Sequence, residues 1–523
     1  MNDWIKRNQN FTLTDGAGAF SIGFAGMNFS GADLDGMAAK FAAAAAEMAK
    51  IEAGEIKNPD EKRKVTHFTD RANYVNSTLF ETVEAFVEDI HSGALLGPTG
   101  KKFTAVVVNG IGGSALGPQL MQFAMNGPYW NELSARKRRD YLKIYFLDNT
   151  DSAEFSDLLA VMDPEETLHV VISKSGGTQE TKNNLIAMES FYKQSSLPFA
   201  KCAVAITMKD SELDRKARAD GWLRVFEMAE SIGGRTSETS IVGHLPAALT
   251  GVDFREFLTG ACRMDEWTRT ADPRKNPAAM LSAMWYIAGK GKGDRNMVIV
   301  PYSDRLVLLS RYLQQLVMES LGKELDLDGK TVHQGLSVFG NKGGTDAHAF
   351  IQQLNDGRDD FFVTFIEVLK DSARYAISDD VAMGDYLHGF LEGLSEALRG
   401  KQRQVIRIQV AKLGAAELGM LIALYERAVA MYAEYIHINA FHQPGVQAYK
   451  LAAKGVLAIR EKLNQALAGM TLESGTAAEL AAKAGLADDA VIVKGWLDKA
   501  ACNGGKVRRT FDAERGDWVY SVR

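Results

Sequence analysis

Hydrophobic positions in the first hundred residues follow helical spacing. The chain is rich in alanine over residues 32–55, and apolar residues recur at every third or fourth position over residues 74–91. Such spacing is typical of amphipathic helices. We therefore predict a helical N-terminal segment over residues 1–100, and no combination of side chains in it indicates chemistry.

Beyond residue 100 the pattern changes to short β-branched runs that alternate with helical stretches. Uninterrupted apolar runs of this length, separated by helices, are typical of the strands of a buried parallel sheet. The first four runs occupy residues 104–109, 143–148, 169–173 and 202–207. They predict a first sheet domain over residues 101–250.

A helical connection is predicted over residues 251–290, and a second series of strands follows it. Its members are NMVIVPY at 296–302, KTVHQGL at 330–336, DFFVTFIEV at 360–368 and VIRIQV at 405–410. This order predicts an α/β fold of two doubly wound, mostly parallel sheets flanked by helices, with the second domain over residues 291–460.

The remaining segment, residues 461–523, has a different pattern. Two short helical stretches are followed by alternation typical of a hairpin, an order that resembles a winged helix. Its basic and acidic residues balance, so DNA binding is disfavoured. We predict a small winged-helix-like appendage that packs on the rest of the chain or supports a dimer.

Composition and charge indicate the compartment and exclude some classes of partner. A net charge of −6 gives no overall basic field for nucleic acid or an acidic membrane. The three cysteines are far apart and lack metal-ligand spacing, which indicates a reducing compartment. The N-terminus has no signal-peptide core, and no apolar run reaches the roughly 18 residues of a spanning helix. We expect a soluble cytoplasmic protein without a metal or other cofactor.

A glycine-rich turn follows the first predicted strand, in the segment VVVNGIGGSALGP at 106–118. A turn between a buried strand and a helix presents backbone N–H groups and a helix N-terminus to an anion. Alone, the glycines at 110, 112, 113 and 117 could also form an imperfect dinucleotide-binding fingerprint.

A second polar loop follows the third strand, in VVISKSGGTQET at 170–181. It offers the hydroxyls of Ser173, Ser175 and Thr178 together with Lys174 at the start of a helix, which is suitable for a phosphate. The alternative is that the hydroxyls only cap this helix. The two loops together resemble the sugar-isomerase domain that binds phosphosugars.

Four further segments resemble the signatures of the glucose-6-phosphate isomerase family, in the family's order. They are GGRTSETSIVG at 233–243, MESLGK at 318–323, GNKGGTDAHAFIQQL at 340–354 and FHQPGVQAYK at 441–450. The resemblance implies two sugar-isomerase domains and reversible conversion of glucose 6-phosphate to fructose 6-phosphate in glycolysis and gluconeogenesis. Thr236 and Leu321 depart from residues common in the family.

The resemblance also implies roles for individual residues. Glu319 matches the family's catalytic base, and Arg235 matches the arginine that faces the developing enediolate. His348 and Lys450 match residues assigned to ring opening, with His348 supplied by the partner subunit of a homodimer. Outside these motifs His348 would be a core or capping histidine and Lys450 a surface charge.

The residues that match the family's substrate contacts lie in the phosphate loops and at two amides. They are Gly113, Ser114, Ser173, Lys174, Ser175, Thr178, Gln315 and Gln443. Of these, Lys174 could instead turn its side chain outward. No nucleic acid or membrane partner is expected.

Several other functions remain to be separated from this one. Isomerisation of mannose 6-phosphate stays open, because phosphate loops do not read the configuration at C2. A sugar-phosphate-sensing regulator needs no proton-transfer residues, so Glu319, His348, Arg235 and Lys450 argue against it. A dehydrogenase lacks support because no isolated acidic residue follows the glycine loop. Glucosamine-6-phosphate synthase is excluded, since it needs a cysteine directly after Met1.

Overall fold

The computed structural model describes residues 3–58, 61–469 and 473–522. The chain forms two compact units, Met1–His442 and Gln443–Arg523. Within the described residues, no helix has the length and apolar character needed to cross a membrane.

The N-terminal segment contains the predicted helices and also strands that were not predicted. Its elements are α1 (Asp3–Asn10), β1 (Thr12–Thr14), β2 (Phe20–Gly26), α2 (Gly31–Gly36), α3 (Ala38–Glu52), β3 (Ile56–Asn58), β4 (Arg63–Lys64), α4 (His67–Tyr74) and α5 (Thr78–Ser92). Phe20, Ile22 and Phe24 alternate inward along β2, a period of two that the surrounding helical pattern hides. The expectation of a purely helical segment was therefore wrong here.

The first sheet has five parallel strands. Its domain consists of β5 (Ala105–Asn109), α6 (Leu116–Asn126), β6 (Lys143–Leu147), α7 (Ser152–Val161), β7 (Thr167–Ile172), α8 (Gln179–Gln194), β8 (Ala203–Thr207), α9 (Glu212–Ala219), β9 (Arg224–Glu227) and α10 (Ile241–Leu249). The strand order is β6-β5-β7-β8-β9, so the direction of winding reverses between β5 and β7. Ligands of open α/β sheets bind at the carboxyl ends of strands at such a point.

The second domain continues the chain with helices and a mixed sheet. Its elements are α11 (Phe254–Thr268), α12 (Pro277–Ala288), β10 (Asn296–Tyr302), α13 (Leu309–Leu313), β11 (Lys323–Leu325), β12 (Thr331–Gln334), β13 (Val338–Phe339), α14 (Ile351–Asp356), β14 (Phe361–Val368), α15 (Met383–Gly400), β15 (Val405–Val410) and α16 (Ala415–Tyr435).

The six strands of this sheet follow the order β1-β2-β15-β14-β10-β13. The last four are parallel, while β2 pairs antiparallel with β15 and β1 with β2. Two parallel sheets flanked by helices confirm the predicted fold class. The segment at 330–336 was wrongly assigned to this sheet: β12 pairs with β11 in a separate hairpin, because its side chains are largely exposed rather than buried on both faces.

The second unit is a small domain with its own core. It consists of α17 (Pro444–Ala468), β16 (Ser474–Thr476), α18 (Ala477–Lys483), α19 (Ala490–Cys502), β17 (Val507–Asp512) and β18 (Asp517–Val522). Leu480, Leu497 and Tyr520 are fully buried in it. The two short helices and the hairpin lie where the sequence placed them, and the winged-helix likeness stays a prediction. The predicted boundary at 460/461 falls inside α17. This helix contributes Leu463 to the core of the second unit.

A network of buried charges joins helices α4, α11 and α16. The Arg71 guanidinium donates to both Asp265 oxygens at 2.5 and 2.6 Å and to Glu426 at 2.6 Å. Arg427 donates to Asp265 at 2.5 Å. All four side chains are at most 3% exposed, and charges this deeply buried are retained only when they are paired.

A third buried carboxyl, Glu238, gives this region one more acid than base. Tyr312 donates a hydrogen bond of 2.7 Å to the Glu238 carboxyl. Gly117 and Gly243 pack directly against Glu238, so a side chain at either position would collide with it. Burial, followed by repulsion from Glu426, raises the pKa of Glu238 well above its ordinary value of 4.5. Burial likewise raises the pKa of Glu426 to about 7.

We expect Glu238→Gln to flatten the dependence of stability on pH. Above pH 4.5 only the unfolded state releases the Glu238 proton, so the free energy of unfolding falls by up to about 1.4 kcal/mol per pH unit until the folded pKa is passed. Glutamine cannot ionise. Urea unfolding between pH 5 and 9 should show a smaller decline for Glu238→Gln than for the wild type. The exposed Glu227→Gln serves as the control, and equal slopes for all three proteins would contradict this expectation.

Candidate active site

The first candidate phosphate loop follows β5 and packs closely on another loop of the same domain. Residues Gly112–Ser114 form a short 3-10 turn, with Gly112 at φ +59°. An ideal Cβ on Gly113 would lie 1.7 Å from the Gly234 carbonyl oxygen, so only glycine fits at position 113. This contact holds the loop, including Ser114, against the segment that carries Arg235.

The second candidate phosphate loop follows β7. The Ser173 hydroxyl accepts a hydrogen bond from the Gly176 amide at 3.1 Å and lies 3.3 Å from the Thr178 hydroxyl. Ser175 accepts from the Gly177 amide at 3.2 Å. Thr178 occupies the N-cap of α8, yet among the described residues its side chain makes no capping hydrogen bond. The first amides of this 16-residue helix can therefore face an anion.

Lys174 turns its side chain along the edge of this loop. Its ammonium donates to the carbonyl oxygens of Glu230 at 2.5 Å and Ile232 at 3.0 Å. Burial, with repulsion from Arg63, lowers its pKa to about 8. The charge therefore lies beside the loop, bound to backbone oxygens.

Glu319 and Gln315 share a widened turn at the end of α13. The α-helical geometry of α13 ends at Leu313, and Gln314–Glu319 form a π-helical turn, a distortion common at functional sites. Gln315 Nε2 donates to Glu319 Oε2 at 3.3 Å. The same Nε2 lies 3.0 Å from the position of a Cβ on Gly112, so Gln315 connects the first loop to the carboxylate.

Arg235 completes the cluster. It lies in the 3-10 turn Gly234–Thr236, is 6% exposed, and places its Nε 3.3 Å from Glu319 Oε2. Its Nη1 donates to Ser320 Oγ at 3.3 Å, and its Nη2 to the His442 carbonyl oxygen at 3.4 Å. Burial lowers the pKa of Arg235 from its ordinary value. A fixed cation thus faces a carboxylate in a cluster that also contains the first candidate phosphate loop.

The remaining predicted residues are His348, Gln443 and Lys450. His348 ends the 3-10 turn Thr345–His348 and is exposed. The buried Asp346 holds this turn by accepting from the amides of Asn341 and Lys342 at 2.9 and 3.0 Å. Gln443 and Lys450 belong to the second unit, where Gln443 precedes α17 and Lys450 is exposed on it.

Sequence reasoning missed two residues that the structure adds to the cluster. Ser320 accepts from Arg235, and the buried Lys323 donates to the carbonyl oxygens of Glu319 and Ser320. Both belong to the segment MESLGK, but a role was predicted only for its glutamate. Among the described residues, no group of three or more potential ligand side chains is arranged to hold a metal ion.

Comparison with known proteins agrees with this geometry. The family model described as phosphoglucose isomerase matches residues 37–404. Glucose-6-phosphate isomerase of Geobacter sulfurreducens is 45% identical, over 95% of each chain. The enzyme of the same name from Synechococcus elongatus is 47% identical, over 86% of this chain and 85% of its own.

The solved structures extend the likeness to the fold. The crystal structure of a glucose-6-phosphate isomerase from Chlamydia trachomatis superposes with a TM-score of 0.77 at 27% identity, over 87% of this chain and 91% of that one. Fold and site together define an aldose–ketose isomerase of sugar-isomerase architecture. Within that class, the chain belongs to the phosphoglucose isomerase family.

Proposed function

We propose that Glu319 and Arg235 carry the proton transfer by which this chain interconverts glucose 6-phosphate and fructose 6-phosphate. The reaction itself follows from membership of the family. The observation that supports the assignment of residues is the 3.3 Å contact between Arg235 Nε and Glu319 Oε2, beside Gln315 and the first phosphate loop.

The Glu319 carboxylate acts as the single base. It removes the proton from C2 of the open-chain aldose while the C1 carbonyl oxygen gains a proton, which gives a cis-enediol. Glu319 then returns its proton to C1 as the C2 hydroxyl loses one, and the ketose forms. One base suffices because both carbons present the same face, and a positioned carboxylate contributes about 10²- to 10⁴-fold to such a transfer.

Arg235 stabilises the negative charge that develops on the enediolate oxygens. Its guanidinium is held in place by protein oxygens before the substrate arrives, so little reorganisation is needed as the charge forms. The phosphate binds the two loops through Ser114, Ser173, Ser175, Thr178 and the Gly113 amide. Lys174 adds positive charge at the edge, and Gln315 and Gln443 contact the sugar.

His348 and Lys450 open the sugar ring, and His348 acts in the site of a second copy of this chain. The exposed position of His348 supports such a role. An exposed apolar face of α15 supports a homodimer. Met383, Tyr386 and Phe390 share this face and are 50–58% exposed. Large exposed apolar patches mark protein interfaces.

The homodimer can be tested by mixing inactive subunits. Glu319→Gln and His348→Ala chains should each be inactive alone, while co-expressed chains recover about a quarter of wild-type activity, since half of the randomly formed dimers contain one intact site. Coupled assays on fructose 6-phosphate would measure this, with mannose 6-phosphate tried beside it. Recovery near zero, with mixed dimers demonstrated by affinity tags, would place His348 in its own subunit's site. Normal activity of His348→Ala alone would remove His348 from catalysis.

We place the enzyme in the cytoplasm, with no nucleic acid or membrane partner. The free thiols of Cys202, Cys262 and Cys502 support a reducing compartment. The net charge of −6 supports the absence of a nucleic acid partner.

A further inference from the structure

Lys323 is a buried cation that touches the backbone of the proposed base. It begins β11, opposite Gln334 of β12, and is 4% exposed. Its ammonium donates to the Glu319 carbonyl oxygen at 2.8 Å and to the Ser320 carbonyl oxygen at 2.7 Å. The side chain therefore reaches back from the hairpin to the end of the helix that carries Glu319.

The turn between Glu319 and Lys323 has little freedom. The Gly322 amide donates to the Met318 carbonyl oxygen at 2.8 Å, and a Cβ on Gly322 would lie 2.7 Å from that oxygen. The carbonyls of the last helical turn lack partners within the helix. Lys323 satisfies two of them, so its side chain sets where the helix ends and how Glu319 and Ser320 are presented.

We propose that Lys323 is a positioning residue of the isomerase, which holds the Glu319–Ser320 backbone so that both side chains face Arg235. The proposal rests on the role of Glu319 as the base. Arg235 contacts both residues, at Glu319 Oε2 and Ser320 Oγ, so a shift of this backbone changes the distance between cation and base. Misplacement by about 1 Å can reduce an enzymatic rate 100-fold.

A helix cap alone does not require a buried charge. The last carbonyls of a helix usually accept from backbone N–H groups at a glycine turn or from an exposed basic side chain. Removing an ammonium from water, by contrast, is costly. The charged groups that act on Lys323 are Arg235 and Glu319. Burial, with repulsion from Arg235, lowers the pKa of Lys323 to about 7, against the opposing attraction of Glu319. The lysine thus acts on Glu319 through its charge as well as its hydrogen bonds.

The test compares Lys323→Met, Lys323→Gln and Lys323→Arg with Lys330→Met, which removes an exposed lysine from the same hairpin. We expect Lys323→Met to lower kcat about 10- to 100-fold with KM within about threefold. Lys323→Gln should lower kcat in the same way with KM little changed, since the amide can donate hydrogen bonds but carries no charge. Lys323→Arg should recover a large part of kcat, because it restores the cation, and Lys330→Met should match the wild type throughout.

Each outcome separates the alternatives. A normal kcat in Lys323→Gln, or a raised KM with normal kcat, overturns the proposal and leaves a purely structural cap. If Lys323→Met fails to fold by thermal unfolding, Lys323→Gln and Lys323→Arg still differ in charge and decide the question. Normal turnover in Glu319→Gln would instead show that the proposed base is wrong, a result independent of the Lys323 variants.

Discussion

Replacing Glu319 with glutamine should lower kcat by about 10²- to 10⁴-fold while fructose 6-phosphate still binds. The amide keeps the shape of the side chain and loses its basicity, so it cannot accept the C2 proton. The hydrogen bond from Gln315 Nε2 can be kept by the amide oxygen, which limits the structural disturbance. A coupled assay gives kcat and KM, and calorimetry gives the affinity for the sugar phosphate.

Glu324→Gln is the matched control for this change. Glu324 is exposed on β11, five residues from Glu319, and carries the same charge, so its variant should behave as the wild type. Exchange of the C2 proton with solvent deuterium gives a second measure, which should be lost only in Glu319→Gln. Turnover near the wild-type rate in Glu319→Gln would remove this residue from the mechanism.

The sequence could predict the positions of the two candidate phosphate loops, after β5 and after β7, because each combines local signals. A buried strand, a glycine or serine turn and a helix start lie within about a dozen residues of one another, and the strand order then brings both loops to one edge of the sheet. The close contact of Gly113 with Gly234 could not be predicted in this way, since it joins residues 121 positions apart in the chain.

Other features could not be predicted from the sequence, because long-range packing overrides the local pattern. Strand β2 pairs with β15, almost 400 residues away in the chain, and β1 pairs in turn with β2. Strand β9 has only four residues. The π-helical turn Gln314–Glu319 could not be predicted, because the spacing of apolar residues does not distinguish it from an α-helix. The sequence does not distinguish Lys323 from a surface lysine, because only the folded hairpin brings its ammonium to the Glu319 carbonyl oxygen.

Arg235→Met should lower kcat by about 10²- to 10³-fold, the loss typical of one preorganised group that stabilises an oxyanion. Arg235 contacts Glu319 and Ser320, so its cation is held beside the proposed base. The ground-state sugar carries no such charge at C1 and C2, and KM should therefore change little. Arg235→Lys should recover only part of the rate, because an ammonium lacks the planar fork that spans several acceptors.

The decisive comparison for Arg235 is between two ligands. An analogue of the enediolate that carries the phosphate should lose affinity in parallel with kcat/KM across the wild type, Arg235→Lys and Arg235→Met, whereas fructose 6-phosphate should not. Arg224→Met, at an exposed arginine of β9 in the same domain, controls for loss of charge alone. Equal losses for both ligands would show that Arg235 binds substrate uniformly. Arg235 would then serve affinity for the sugar phosphate, and the enediolate charge would have to be stabilised by another group facing Glu319.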